Sequence, residues 1–128
     1  MAARILVVDD NLVNLKLACE LLETDGHFVK RAANADEALA ILHTATIDLI
    51  LMDVQLPGTD GLTLTRLLKA DKATKTIPVV ALTAFAMKGD DQRALEAGCA
   101  GYISKPFDTR TFSSRVMKFL LKPEGKPA

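Results

Sequence analysis

Short apolar runs alternate with helical patterns along the whole chain, and this alternation limits the possible folds more than any other feature. Runs rich in β-branched and other apolar residues predict five strands, at residues 4–8, 28–32, 47–53, 77–82 and 101–104. Strands that alternate with helices form a parallel sheet that has right-handed crossovers and helices on both faces. The sequence therefore predicts an α/β fold, a doubly wound (βα)5 architecture of the flavodoxin-like type.

The order of the strands follows from their polarity. Residues 47–53 are apolar except for the acids at positions 48 and 53, whereas residues 28–32 include two basic side chains. Strands that are buried on both faces lie in the centre of a parallel sheet, and more polar strands lie at its edges. We therefore expect the order 2-1-3-4-5.

Five helices are expected between and after these strands. Asp10 or Asn11 can cap the first helix, which ends at Gly26, and Asn34 can cap the second. The third is predicted over residues 62–72 and the fourth over residues 87–97. The side chains expected to face inward are Leu12, Leu15, Cys19 and Leu22 in the first helix, Ala35, Ala38, Leu39 and Leu42 in the second, Leu64, Leu67 and Leu68 in the third, and Phe112, Val116, Phe119 and Leu120 in the last.

Composition excludes several classes of protein. The chain has 16 basic and 16 acidic residues, so it has no basic excess for binding DNA. It has neither an apolar stretch of transmembrane length nor a recognisable signal peptide, which predicts a cytoplasmic location and no membrane contact. Cys19 and Cys99 lack metal-ligand spacing and are expected to be buried thiols. We expect one domain over residues 1–122, followed by a flexible tail at residues 123–128.

Polar side chains follow four of the predicted strands, at the point where each strand ends. Asp9 and Asp10 follow the first strand, and Asp53, Thr83 and Lys105 end or follow the third, fourth and fifth. Because the carboxyl ends of parallel strands meet at one edge of the sheet, these side chains are expected to converge. Any one of them alone is more often a turn, cap or surface residue, so the hypothesis depends on the whole set.

Three carboxylates at one edge repel each other, by about 4 kcal/mol for a pair 4 Å apart at an effective dielectric near 20. Lys105 supplies one compensating charge, and a hard cation such as Mg²⁺ suits the oxygen ligands. The backbone carbonyl of Gln55 can complete the ligand set. Such a site can hold a phosphoryl group, and Asp53 is then the nucleophile that becomes an aspartyl phosphate.

The sequence resembles the receiver domain of bacterial two-component response regulators over residues 4–121. Four motifs carry the resemblance: Val7-Val8-Asp9-Asp10-Asn11, Leu49-Ile50-Leu51-Met52-Asp53-Val54-Gln55-Leu56-Pro57, Ala81-Leu82-Thr83-Ala84 and Tyr102-Ile103-Ser104-Lys105-Pro106-Phe107. Residues 85–90 are similar to single-domain receivers of the DivK type, and the first helix is similar to receivers attached to hybrid histidine kinases. The implied fold is CheY-like.

The resemblance implies a role for each matching residue. Asp53 is the phosphoacceptor, and Asp10, Asp53 and the Gln55 carbonyl bind magnesium, with Asp9 acting through water. Thr83 and Lys105 hold the phosphoryl oxygens. Ala84 leaves room for the donor, and a cis peptide bond at Lys105–Pro106 aims the lysine.

The family also implies a conformational switch and a set of partners. Thr83 moves toward the phosphoryl group, Tyr102 turns inward, and the surface of helix 4, strand 5 and helix 5 changes for a downstream protein. A histidine kinase or a histidine phosphotransfer protein is the expected donor, docking on helix 1 near Asn14 and Leu15. The chain is expected to act as a signalling phosphoacceptor rather than as an enzyme. It is not expected to bind DNA directly.

Three other functions remain open on the residues alone. A haloacid dehalogenase-type phosphatase also uses an aspartate nucleophile, but it carries a second aspartate where this chain has Gln55. A flavin- or nucleotide-binding module needs a loop that cradles phosphate after strand 1, where Asp9, Asp10 and Asn11 stand instead. The third is a receiver that is never phosphorylated and works as a constitutive adaptor.

Overall fold

A computed structural model describes residues 2–56, 60–83, 90–105 and 108–121. Within them the strands are β1 (Arg4–Val8), β2 (Phe28–Ala32), β3 (Leu49–Asp53), β4 (Val79–Thr83) and β5 (Gly101–Ser104). The helices are α1 (Leu12–Thr24), α2 (Ala35–Thr44), α3 (Gly61–Ala70), α4 (Asp90–Ala97) and α5 (Phe112–Leu121). None of the described helices is long and apolar enough to cross a membrane.

The five strands form one parallel sheet in the order β2-β1-β3-β4-β5, as predicted. All five residues of β3 and of β4 are buried, whereas only the last residue of β2 is. This difference follows from position, because α/β crossovers cover both faces of the central strands and leave the edge strands exposed. The α/β doubly wound architecture is confirmed.

Two apolar layers lie on opposite faces of the sheet. Side chains from α2, α3 and α4 pack on one face with Leu6, Ile50 and Met52. Side chains from α1 and α5 pack on the other face with Val7 and Leu51. Because successive strand residues point to opposite faces, each central strand supplies both layers.

Three helices differ from the predicted inward faces. Leu12 is 69% exposed, Leu67 is 58% exposed and Leu39 of α2 is 36% exposed, so these three predictions of burial are wrong. Leu12 is the first residue of α1, one position after the Asn11 cap, where the helix has only begun to pack on the sheet. Leu67 lies beside the buried Leu64 and Leu68 but on the solvent side of α3.

Short-range hydrogen bonds begin the helices as the sequence indicates. The Asn11 side chain accepts the N–H groups of Val13 and Asn14, which decides between Asp10 and Asn11 as the cap of α1. The Asn34 side chain accepts the N–H of Glu37 at the start of α2. Because Asn11 supplies the α1 cap, the Asp10 carboxylate is left available for other contacts. The predicted start of α4 near Met87 and the tail lie outside the described residues.

Cys19 and Cys99 are buried free thiols, as expected. Burial raises the pKa of Cys19 to about 11 and also raises the pKa of Cys99. Both thiols are therefore held in the uncharged form that suits a core position.

His27 fastens the start of the sheet. Its side chain is buried, and its Nδ1 accepts the Ala3 N–H at 3.0 Å, while the neighbouring Phe28 N–H donates to the Ala3 carbonyl. We predict that His27→Ala lowers the free energy of unfolding by about 1–2 kcal/mol, because it leaves a buried N–H without an acceptor. Urea unfolding measures this, with the exposed His43→Ala as control; equal stability of the two variants would contradict the assignment.

Candidate functional site

The register of the sheet brings the carboxyl ends of its strands together. Val8 lies opposite Met52, and Asp53 lies opposite Leu82. Asp9, the residue that follows β1, is therefore level with Asp53. Lys105 follows β5 directly, and its N–H donates to the Thr83 carbonyl at 2.7 Å. The sheet thus brings Asp9, Asp53 and Lys105 to one edge, with the backbone of Thr83 beside them.

A single ammonium group joins two buried carboxylates at this edge. Lys105 Nζ lies 2.9 Å from Asp9 Oδ2 and 3.3 Å from Asp53 Oδ2. The side chains of Asp9 and Asp53 are 1% and 6% exposed, and that of Lys105 is 12% exposed. Charges removed from water this far require a partner of opposite sign, so the three groups depend on each other.

Each aspartate uses its other oxygen to hold a loop. Asp9 Oδ1 accepts the Asn11 N–H at 2.9 Å, and Asp53 Oδ1 accepts the Gln55 N–H at 3.0 Å. These bonds span two residues, as in an Asx turn. Each carboxylate is therefore fixed at one oxygen by its own backbone and points the other oxygen at Lys105.

Asp10 completes a group of three carboxylates. Asp9, Asp10 and Asp53 each offer an oxygen within 4.8 Å of the others, with Asp10 exposed and the other two buried. Three carboxylates and one described ammonium group leave a local excess of negative charge, and an arrangement of three oxygens this close can hold a metal ion. Gln55, whose carbonyl was the fourth expected ligand, is exposed next to the cluster.

The pKa of Asp53 reflects the same environment. It is raised from 3.8 to about 6, chiefly by burial and also by the neighbouring Asp9, while the hydrogen bond from the Gln55 N–H and the charge of Lys105 oppose the increase. The desolvation of the carboxylate is the largest cause. Asp53 is therefore a carboxylate whose charge is poorly compensated by the protein alone.

Gly61 allows the loop after β3 to close against Asp53, a role that the sequence did not reveal. A Cβ at Gly61 would collide with the Asp53 carbonyl oxygen and would lie 2.9 Å from both the Asp53 carbonyl carbon and Val54 Cα. The Gly61 N–H also donates to the Val54 carbonyl. The first residue of α3 therefore has to be a glycine, because the obstacle is backbone that cannot rotate away.

The side chains of Thr83 and Tyr102 project from the opposite face of the sheet to that of Asp53. Strand alternation puts the Thr83 side chain on the face of Val79 and Ala81, whereas Asp53 shares the opposite face with Leu51. The Thr83 side chain is buried, and Tyr102 is 41% exposed. The roles expected of these two residues in a conformational switch stay predictions.

The two residues suggested for donor docking differ in accessibility. Asn14 is partly exposed, but Leu15 is 6% exposed and packs in the α1–α5 layer, so its side chain is not available to a partner. This prediction requires correction, because the apolar side chains exposed on α1 are those of Leu12 and Val13. Ala84 and Pro106, to which further roles were assigned, lie outside the described residues.

Known proteins are similar to this chain in sequence over nearly its whole length. The family model for the response regulator receiver domain matches residues 5–124. The polar-differentiation response regulator DivK of Brucella anthropi is 43% identical over 120 residues, which cover 94% of this chain and 98% of that protein.

Solved structures agree with the sequence match. The receiver domain of sensor histidine kinase PA1611 from Pseudomonas aeruginosa, solved with a magnesium ion in its active site cleft, superposes with a TM-score of 0.85 at 32% identity. That match covers 95% of this chain and 100% of the other. A CheY-like receiver domain protein from Methanospirillum hungatei gives a TM-score of 0.82 at 32% identity, covering 94% of each chain. With its sheet order, its acidic edge and its sequence all in agreement, this chain belongs to the response regulator receiver family.

Proposed function

We propose that Asp53 accepts a phosphoryl group from a phosphohistidine of a histidine kinase or phosphotransfer protein, and that this modification changes a protein-binding surface. One observation carries the proposal: the buried Asp53 Oδ2 faces the Lys105 ammonium group at 3.3 Å, within a group of three aspartates. A structural ion pair needs one acid, whereas a phosphoryl site needs a nucleophile, a metal-binding set and a fixed cation.

Magnesium fits the donor set. All three side chains offer hard oxygen atoms, and the exposure of Asp10 leaves space for the water that Mg²⁺ retains. Asp10, Asp53 and the Gln55 carbonyl would hold the ion, with Asp9 nearby and bound to Lys105. When bound, the ion would neutralise charge on the acids and on the incoming phosphoryl oxygens.

The transfer follows from the available groups. An oxygen of Asp53 attacks phosphorus and forms a P–O bond as the P–N bond to the donor imidazole breaks. The departing nitrogen keeps the electron pair, and Lys105 then neutralises a phosphoryl oxygen. The product is an acyl phosphate on Asp53, whose lability suits a reversible signal. The chain would thus act as a signalling phosphoacceptor.

The switch begins at Thr83. Its resting side chain lies on the α3–α4 side of the sheet, so a hydrogen bond to the phosphoryl group requires it to cross toward Asp53. That movement leaves space into which the exposed Tyr102 ring can turn. The surface formed by α4, β5 and α5 would then differ between the two states, and a downstream protein that prefers one state would read the signal.

The exposed start of α1 supports donor docking beside the site. Leu12 and Val13 are 69% and 76% exposed and line a shallow depression with Lys16, Leu17 and Glu20. They follow Asp10 and the Asn11 cap directly, so a donor seated on them lies next to the acidic cluster. We propose this depression, with Asn14 at its edge, as the docking surface of a cytoplasmic receiver domain.

Phosphorylation tests the proposal directly. In the presence of Mg²⁺ and a small acyl phosphate donor, the protein should gain one hydroxylamine-labile phosphoryl group, measured by intact mass. Asp53→Asn should gain none, because an amide is not a nucleophile toward phosphorus, while Asp48→Asn should label like the wild type. Equal labelling of Asp53→Asn would refute Asp53 as the acceptor.

Gly61→Ala should weaken magnesium binding by about tenfold, or about 1.4 kcal/mol, because the added methyl group displaces the Asp53 backbone and the loop that carries Gln55. Isothermal titration calorimetry measures the affinity, and circular dichroism verifies folding. Thr63→Ala, on the exposed side of the same helix, is the matched control. A folded Gly61→Ala protein with unchanged magnesium affinity would contradict this role.

Stability without metal should depend on the charge of Asp53. Its folded-state pKa of about 6 exceeds its ordinary value of 3.8, so its protonated form stabilises the fold at low pH and this contribution disappears as pH rises through about 6. We expect the wild type to lose stability relative to Asp53→Asn between pH 5 and pH 7.5, and Mg²⁺ to restore it. Urea unfolding of both proteins at pH 5 and pH 7.5 measures the difference. The same change in the free energy of unfolding for the wild type and Asp53→Asn would contradict the prediction.

A further inference from the structure

A second concave surface lies at the opposite end of the sheet from Asp53. It has a volume of about 260 Å³ and is lined by Arg4, Phe28, Lys30, Ala45, Thr46 and Ile47, which we call the β2 patch. All of these residues except Lys30, which lies in the middle of β2, stand at or before the starts of β1, β2 and β3, whereas the acidic cluster stands at the ends of the strands. The β2 patch is therefore separate from the phosphorylation site.

The patch exists because α2 leaves part of the sheet uncovered. Arg4 lies opposite Phe28, and Leu6 lies opposite Lys30, on the face where Leu6 and Ala32 are buried under α2. The chain leaves α2 after Thr44 and returns to the sheet before Leu49. Phe28 is consequently 66% exposed, an unusual position for a large aromatic side chain at the edge of a core.

The backbone of β2 has an open outer edge. The Phe28 N–H donates to the Ala3 carbonyl, and the Ala32 carbonyl accepts the Asp9 N–H. Because alternate residues of a parallel strand bond to the same neighbour, Phe28, Lys30 and Ala32 face β1. Val29 and Arg31 therefore direct their N–H and C=O groups away from the sheet, where an extended chain can pair with them.

The charges along the outer edge of β2 indicate which kind of extended chain can pair with it. Arg4 and Lys30 flank Phe28 on one face, and Arg31 lies on the other, where it makes a half-exposed 3.8 Å ion pair with Glu23. The nearby carboxylate of Asp48 is already engaged, because its Oδ2 accepts the Arg4 N–H at 2.8 Å. A second copy of β2 would bring Lys30 and Arg31 against like charges. The edge therefore disfavours self-pairing and favours an acidic chain.

We propose that the β2 patch binds an extended, acidic segment of a partner protein, which adds to the sheet beside β2. An apolar side chain of that segment would pack on the exposed ring of Phe28, and its carboxylates would lie near Lys30 and Arg31. The surface does not include any residue of the phosphorylation site. Binding is therefore independent of phosphorylation, and the partner stays attached in both signalling states.

A pair of synthetic peptides tests the proposal. In the first, glutamate alternates with valine, and in the second, lysine replaces every glutamate. Titration into the ¹⁵N-labelled protein should shift the amide signals of residues 28–31 and 45–47 with the acidic peptide only. Lys30→Glu should weaken binding by about tenfold or more, whereas Lys72→Glu, exposed on the loop after α3, should leave it unchanged.

Val29→Pro separates backbone pairing from charge attraction. Proline removes an N–H that points away from β1 and is tolerated on edge strands, so the variant should keep its fold, as circular dichroism verifies, and lose the peptide. Val29→Ala, which keeps the N–H, should bind normally.

Equal binding of both peptides, unchanged binding to Lys30→Glu, or shifts outside residues 28–31 and 45–47 would overturn the proposal. Dimerisation of the free protein through these residues would do so too. Asp53→Asn should bind the acidic peptide like the wild type, so failure here is distinguishable from failure of the phosphorylation proposal.

Discussion

The contact of Lys105 with Asp9 and Asp53 is the interaction on which the site depends. Distances of 2.9 and 3.3 Å place one positive charge between two buried negative charges. Removing the lysine would leave two desolvated carboxylates facing each other. This loss would cost far more free energy than breaking one of the exposed ion pairs elsewhere on the surface. The ammonium group thus makes it possible for the fold to keep two acids together before any metal or phosphoryl group arrives.

That contact in turn depends on the sheet. Lys105 reaches the acids because β5 ends level with β4, and its backbone N–H is fixed by the Thr83 carbonyl. Asp9 and Asp53 meet because β1 and β3 are neighbours with Val8 opposite Met52. A shift of one residue in either pairing would point a side chain into the other apolar layer. The buried cores on both faces therefore specify the geometry of the site as well as the stability of the protein.

Sequence reasoning recovered the strand order and the convergence of the polar side chains, because both depend on patterns that are local in the chain. It failed where a residue's neighbours lie elsewhere. Helical spacing alone assigned Leu12 and Leu67 to the core, but a helix contacts the sheet over a limited arc, and both lie outside it. Leu15 was predicted to contact a partner, but it belongs to the apolar stripe of α1. That periodicity is the reason its side chain is buried.

The requirement for Gly61 escaped the sequence for a related reason. A glycine after a proline and an aspartate suggests a turn, whereas the actual constraint is the approach of the Asp53 backbone. Likewise, the direct bond between Asp9 and Lys105 emerged only from the fold, since spacing predicted convergence without specifying which atoms touch. Pairwise contacts between distant segments are the information that local patterns do not contain.

The turn formed by Asp53 has a consequence for stereochemistry. One oxygen of its carboxylate holds the Gln55 amide, so the two oxygens, equivalent in a free aspartate, are distinguished by the protein. The other oxygen, Oδ2, faces Lys105 instead of its own loop. Chemistry on Oδ2 would leave the bond from Oδ1 to the Gln55 amide in place, so that a new group would project from an anchored backbone.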